Sequence, residues 1–388
     1  MVLRMDSPAP AIKVQSWLRG EPLTAFQPGK LYIVEFWATW CSPCVAAMPH
    51  LAELQEKYKD RGLEVVGVAA SERAPTADEA RTKLDAWLTE NCSYLNYRIA
   101  FDFKGEMDKL WMEPSLSLGI PTSFVVDRDG AIAFIGHPMD LAKVLPKVIN
   151  GSWRTSKQAK AGDAKRIAEG EASMRERALK KPILEKFRAA SEAQDWTTAR
   201  SVIDEGVALL PDDLNLRLLQ AHLLLHEIRD MRAGLPVIQL LVRDAIEKNS
   251  DLWLGQVLQQ LFHPGRDNSH LPSAERFAMG KELSEHILAL NPPEGEVDLK
   301  FLHCPALGQY FYETGDKDRA IKLVEVTMKS LADWQDGSDK LKQQLGPGLL
   351  QALANYKGEK VCSGDLCATP QKDFPIVKAQ TAEDQTLR

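Results

Sequence analysis

The chain is 388 residues long, with 48 Lys and Arg against 54 Asp and Glu and a formal net charge of −6. That length is too great for one small domain and favours two or three with sizeable cores. The mild acidity and the absence of a long basic stripe argue against nucleic acid as the main partner, and no apolar run reaches the roughly 20 residues needed to span a bilayer.

Met1-Val2-Leu3-Arg4-Met5 is too short for a secretory leader. As written, the chain is therefore expected in the cytoplasm; if a leader has been removed, the alternative is the periplasm or another extracytoplasmic space. Leu31 to Phe36 is β-branched and aromatic apart from Glu35, the pattern of a buried strand. Pro43 to Tyr58 carries Ala47, Leu51, Leu54 and Tyr58 at helical spacing, with Pro49 expected to bend the helix. Between strand and helix lies Phe36-Trp37-Ala38-Thr39-Trp40-Cys41-Ser42-Pro43-Cys44. A thiol at a helix N-terminus faces unpaired backbone N–H groups and the positive end of the macrodipole, which favour the thiolate. Cys41 is accordingly the expected nucleophile. The i,i+3 spacing places Cys44 on the same face, one turn deeper, where it can resolve a mixed disulfide held on Cys41. Glu35, desolvated in an apolar strand, has its pKa raised and can exchange a proton near neutrality.

Further along, Leu63 to Val68 reads as a strand, and a helix starts at Thr76, where Thr76-x-x-Glu79 forms a capping box. A strand at Tyr97 to Phe101 follows. Gly119-Ile120-Pro121-Thr122 precedes strands at Thr122 to Val126 and Ala131 to Ile135, joined across Asp127-Arg128-Asp129-Gly130. Asp140 is expected to cap an amphipathic helix carrying Leu141, Val144, Leu145 and Val148.

The Val34-Glu35-Phe36-Trp37-Ala38-x-Trp40-Cys41-x-Pro43-Cys44 run and the Ile120-Pro121 step resemble the active-site segments of thioredoxin-fold proteins. Ser7-Pro8-Ala9-Pro10, the Met48-Pro49 step and the insertion after Val68 make the closer resemblance one to TlpA/ResA-like thiol–disulfide oxidoreductases, over residues 6 to 152. The resemblance implies a cis bond at Pro121, Glu35 as proton acceptor for Cys44, and Trp40, Ser42, Pro43, Ile120 and Pro121 as residues that dock substrate and tune the pair. Ser42 stands where some relatives carry a glutamate, so their redox tuning does not transfer. It further implies a protein disulfide substrate, an electron-donor thiol protein, and no cofactor beyond the Cys41–Cys44 disulfide.

Residues 153–181 are polar and rich in Lys, Arg, Ala and Glu, and read as a charged, solvated helical linker. From 182 to 357 amphipathic helices dominate: Ile183 to Gln194, Trp196 to Leu210, Leu214 to Glu227 and Gly234 to Glu247. Leu307, Gly308, Phe311, Gly315 and Ala320 fall at the spacings of a degenerate tetratricopeptide-like (TPR-like) hairpin, continuing to Met328. The fold class is thus a thioredoxin-like α/β domain over 1–152 and an all-α TPR-like domain, followed by a turn-rich tail over 358–388. Stacked hairpins commonly bind a peptide or protein partner in a groove; Trp253, Phe311, Tyr312 and Trp334 are available to one, although such aromatics more often pack in a core.

In the tail, Cys362 and Cys367 are spaced for a small structural disulfide loop around Gly364. Too distant to complete a four-ligand site with Cys41 and Cys44, they leave no metal expected. Cys92 and Cys304 read as buried small hydrophobes, and His222, His226, His263, His270, His286 and His303 as scattered. Two other functions compete with disulfide reduction. A peroxiredoxin-like thiol peroxidase lacks its Thr-x-x-Cys signature, because Ala38 sits three before Cys41, and a pure TPR-like adaptor leaves the intact Cys pair without a purpose.

Overall fold

The computed structural model describes residues 2–291, 304–333, 339–363 and 366–371, and the chain divides into two compact units, Met1–Arg177 and Ala178–Arg388. The first is built on six strands: β1 (Ser16–Arg19), β2 (Leu31–Trp37), β3 (Leu63–Ala69), β4 (Arg98–Phe101), β5 (Thr122–Val126) and β6 (Ile132–Gly136). Their order across the sheet is β1-β4-β3-β2-β5-β6. β2, β3 and β4 are parallel, while β1, β5 and β6 run antiparallel to their neighbours. Every residue of β2 is buried. By alternation Leu31, Ile33 and Trp37 join one layer with α1 (Ser42–Tyr58), α2 (Ala77–Asn91) and α3 (Leu141–Ile149), and Tyr32, Val34 and Phe36 join a second with Leu3, Met107 and Trp111. Burial on both faces is why the strand reads as an unbroken apolar run, and each such side chain contributes about 1.5–3 kcal/mol. This is the thioredoxin-like arrangement expected from the sequence.

Local detail departs from expectation at several points. Thr76 does cap α2, its Oγ1 accepting the Glu79 N–H at 3.3 Å. Asp140 makes no such bond; it closes a 3-10 turn, Pro138–Asp140, entered from His137, whose Nδ1 accepts the Met139 N–H at 3.3 Å. α1 continues through Pro49 to Tyr58. β1 is a four-residue strand with a register shift between Trp17 and Arg19, too short and irregular to show a period in the sequence.

The stretch read as a solvated linker begins inside the first unit, and the boundary at residue 152 is corrected accordingly. Trp153 is 8% exposed, joins the layer of α1 and α3, and donates its indole N–H to the Ala133 carbonyl at 3.0 Å. Arg154 bonds Asp6 at 2.7 Å and Asp129 at 2.6 Å. The long helix α4 (Lys157–Glu192) then lays its first turns on the N-terminal segment. Asp163 accepts the Met5 N–H at 3.1 Å and Arg166 donates to the Leu3 carbonyl at 3.3 Å. A Cβ at Gly170 would lie 2.6 Å from the Leu116 Cβ, so this contact requires a residue without one. Composition misleads here because the docking face is made of small and charged residues rather than an apolar stripe.

In the second unit the last residues of α4 are followed by α5 (Trp196–Leu209), α6 (Leu214–His222), α7 (Met231–Glu247), α8 (Asp251–Phe262), α9 (Ser273–Leu290), α10 (Cys304–Glu313), α11 (Lys317–Asp333) and α12 (Asp339–Lys357). A short hairpin, β7 (Val361–Ser363) and β8 (Leu366–Ala368), comes after them. Asp195, Asp213 and Asp230 cap α5, α6 and α7, each accepting a backbone N–H three residues on. The helix expected over Leu214 to Glu227 is interrupted, its second half widening into a π turn at Leu223–Glu227. Helices adjacent in sequence pack against one another, and Phe311 is buried while Trp253 and Tyr312 pack on the same core. These aromatics are core residues. Trp334 and His303 lie outside the described residues, as does the side chain of Cys304. Among the described residues no helix is long and apolar enough to cross a membrane.

Truncating a buried Trp costs about 3–5 kcal/mol. A fragment ending at residue 152 should therefore unfold at a lower urea concentration than one ending at residue 177. Coincident midpoints would show that Trp153 and the first turns of α4 add nothing to the first unit.

Candidate active site

β2 ends at Trp37, and the chain turns through Ala38, Thr39 and Trp40 into α1. Cys41 is the N-cap of that helix and Cys44 lies in its first turn, where the Cys44 N–H donates to the Cys41 carbonyl at 2.9 Å. The two sulfurs are bonded, with Cα atoms 5.2 Å apart. Neither residue is open to solvent: Cys41 is 5% exposed and Cys44 2%. Cys41 is the more accessible of the two only by a small margin. The rim carries the exposure instead, Trp40 at 40% and Pro43 also exposed. Ser42 is half-buried. The Ile120–Pro121 peptide, just before β5, is cis, and Ile120 packs against both layers of the sheet, the one containing the cysteines among them.

Glu35 alternates with Ile33 and Trp37 and so points into the same layer as Cys41 and Cys44. Its register partners are Gly67 on β3 and Ser123 on β5, both small. A Cβ at Gly67 would come within 2.9 Å of Ile99 Cδ1 and 3.1 Å of Trp37 Nε1, so the position is closed to side chains by packing. The Ser123 hydroxyl donates to Glu35 Oε2, while Oε1 is buried without a protein partner. Desolvation pushes the Glu35 pKa from an ordinary 4.5 up to about 8, against a smaller lowering by Ser123. The carboxyl is thus mostly protonated at neutral pH and able to give or take a proton there.

A second carboxylate escaped the sequence reading. Glu72, on the loop after β3, accepts the Thr39 N–H at 2.7 Å and the Thr39 hydroxyl at 2.8 Å, fixing the turn that presents Cys41. Burial raises its pKa and the Thr39 bonds oppose the rise. On either side of it, the Ser71 carbonyl accepts the Trp40 indole N–H at 2.7 Å and the Arg73 guanidinium lies 4.0 Å from the Trp40 ring centroid. The available signal was positional, since loops at the carboxyl ends of parallel strands are where α/β folds build sites. Cys92 is buried, its Sγ 3.9 Å from Met48 Sδ.

The histidines are not all scattered. The rings of His222 and His226 lie 5.2 Å apart and those of His226 and His270 5.3 Å apart. His226 and His270 each bond a backbone carbonyl through Nε2, that of Gln260 at 2.9 Å and that of Leu225 at 3.0 Å. Desolvation, aided by the Arg266 charge, lowers His226 to about 3, leaving it a neutral packing group. Among the described residues no group of three or more His, Cys, Asp and Glu is arranged to hold a metal ion. His222 and His226 are one helical turn apart, but His270 enters from a distant loop that no local pattern announces.

A family model described as Redoxin matches residues 5–143. Protein FixW of Rhizobium leguminosarum is 44% identical over 216 residues, covering 55% of this chain and 95% of that one. The matched stretch is longer than the first unit, so the relation continues into the helices that follow. Thiol-disulfide oxidoreductase ResA of Bacillus thuringiensis is 33% identical over 104 residues, 27% of this chain and 53% of ResA, so the chain spans about half the length of that relative. Of solved structures, a thiol:disulfide interchange protein from Bacteroides sp. matches with 28% identity and a TM-score of 0.32, over 41% of this chain and 98% of that one.

The raised Glu35 pKa has a thermodynamic sign. The folded carboxyl holds its proton more tightly than the unfolded one, so the group costs stability progressively as pH climbs from about 4.5 to about 8. The full cost is on the order of 5 kcal/mol. Glu35→Gln should match the wild type in urea unfolding near pH 4 (below the unfolded value) and exceed it above the folded one. A stability difference that does not change across that window would contradict the buried, proton-retaining carboxyl.

Proposed function

The chain belongs to the thioredoxin-fold, ResA-like thiol–disulfide oxidoreductases, and on that footing we propose that it reduces disulfides of protein substrates through Cys41 and Cys44. The observation that carries this reading is the bonded pair at the N-terminus of α1, in the same layer as a buried, proton-retaining Glu35. In the reduced protein the helix N-terminus favours the Cys41 thiolate. That thiolate attacks one sulfur of a substrate disulfide, forming a mixed disulfide and expelling the other sulfur as a thiolate. Cys44 then gives its proton to Glu35 in its ionised form and attacks the Cys41 sulfur, releasing the second substrate thiol and closing Cys41–Cys44. Two electrons leave the protein in each cycle, and an electron-donor thiol protein restores the dithiol. No cofactor enters this cycle.

Trp40, Ser42, Pro43, Ile120 and Pro121 form the substrate-docking rim in this reading. The helical unit recruits a peptide or protein partner, a role supported by the exposed apolar side chains of Leu209, Leu240 and Leu252. A thiol peroxidase is disfavoured by Ala38 in place of the signature threonine, and an adaptor by the intact Cys pair.

Insulin reduction beside hydrogen peroxide consumption distinguishes the three. Cys41→Ser should abolish insulin reduction, while Cys44→Ser should accumulate mixed disulfides through Cys41. Glu35→Gln should slow release of that mixed disulfide most at neutral pH, where the carboxyl exchanges its proton. Equal trapping by both cysteine variants, or peroxide turnover without insulin reduction, would remove the proposal.

A further inference from the structure

The chain carries a second disulfide, Cys362–Cys367, whose halves are five residues apart in sequence. They are directly paired across the antiparallel strands β7 and β8. Alternation divides the hairpin into two faces. The adjacent pair, Val361 and Ala368, packs against Leu350 and Ala354 of α12 and Met328 of α11. Cys362 and Cys367 are both exposed.

The hairpin is also held by polar contacts that do not involve sulfur. Gln351 donates to the Thr369 carbonyl at 2.8 Å, and the Gln371 N–H donates to Asn355 Oδ1 at 2.9 Å. As a staple the disulfide contributes less than one that closes a longer loop, because its stabilising effect grows with the length of that loop. As a reactive group it is well placed. Both sulfur-bearing residues face solvent, and exchange depends on access for an incoming thiolate. Leu366, beside Cys367, is 52% exposed and offers an apolar contact to an incoming partner.

We propose that Cys362–Cys367 is a second redox-exchange site, which takes electrons from a CxxC dithiol such as reduced Cys41/Cys44. This rests on the reading of Cys41 and Cys44 given above. The Cys41 thiolate attacks one sulfur of the Cys362–Cys367 bond and frees the other as a thiolate. Cys44 then attacks the Cys41 sulfur, so that Cys41–Cys44 forms and the second tail thiol is released. Two electrons and two protons pass from one pair to the other, and a dithiol reductant resupplies Cys41/Cys44.

The test uses the full chain with a limiting amount of dithiothreitol, alkylation of free thiols at intervals, and mass spectrometry of the peptides bearing each pair. Reduction of Cys362–Cys367 should be at least about tenfold faster in the wild type than in the Cys41→Ser/Cys44→Ser double variant, because the CxxC pair acts as the exchange catalyst. In Cys44→Ser a peptide linking Cys41 to Cys362 or Cys367 should accumulate. A rate ratio below that, or no linked peptide, overturns the inference. Insulin reduction by the same wild-type preparation separates the two failures: an active enzyme whose tail pair does not exchange sinks only this proposal, whereas inactivity on insulin sinks the reading it rests on.

Discussion

Strand β2 is hydrogen-bonded along its whole length to β3 and over five residues to β5, with side chains covered on both faces. A strand so enclosed has no freedom to slip, because a one-residue shift would send Leu31, Ile33, Glu35 and Trp37 to the wrong layer. Its carboxyl end is therefore a fixed point, and the three residues after Trp37 are all that separate that point from Cys41, the N-cap of α1. The placement of Cys41 at a helix N-terminus, and of Glu35 in the layer beneath that helix, both follow from this one register.

The site is supported from two strands at once. β2 delivers the cysteines and Glu35, while the parallel neighbour β3 ends beside it and delivers Glu72 and Arg73 to the same edge. Two carboxyls thereby serve different ends, Glu35 fully buried and Glu72 half-buried. Glu72 accepts two hydrogen bonds from Thr39 and holds the backbone, whereas Glu35 keeps one oxygen free of any protein donor. A carboxyl with its acceptor capacity filled is a structural group, and one with capacity unfilled in a dry layer retains a proton it can exchange.

The sequence discloses the first unit well where burial is two-sided or a cap is chemical. β2, β5 and α1 fall within a residue or two of their expected ends, since an apolar run and a helical period leave few alternatives. The pairing of Cys41 with Cys44 and the burial of Glu35 were legible because both depend on local position along the chain. Glu72 was not, because its partner Thr39 lies 33 residues away, and neither was the row of His222, His226 and His270. The start of α4 and the residues just before it deceived for another reason: Arg154, Asp163 and Arg166 dock by charge and backbone contact, and Gly170 by having no side chain at all, so none leaves an apolar signature. In the second unit helices were legible as helices, but the π turn after His222 interrupts one that the apolar pattern runs straight through.

Gly67 sits at the centre of this first unit for want of room rather than for backbone freedom. Its register partner on β4 is Ile99, whose Cδ1 is the nearest atom to the missing Cβ. Moving one methyl from position 99 to position 67 conserves the volume of the layer, while adding it at 67 alone overfills the space and deleting it at 99 alone opens a void. The two positions are consequently epistatic: among related chains an alanine at the first is expected to travel with a valine at the second, and the size of that pair, rather than either residue, is what the fold constrains.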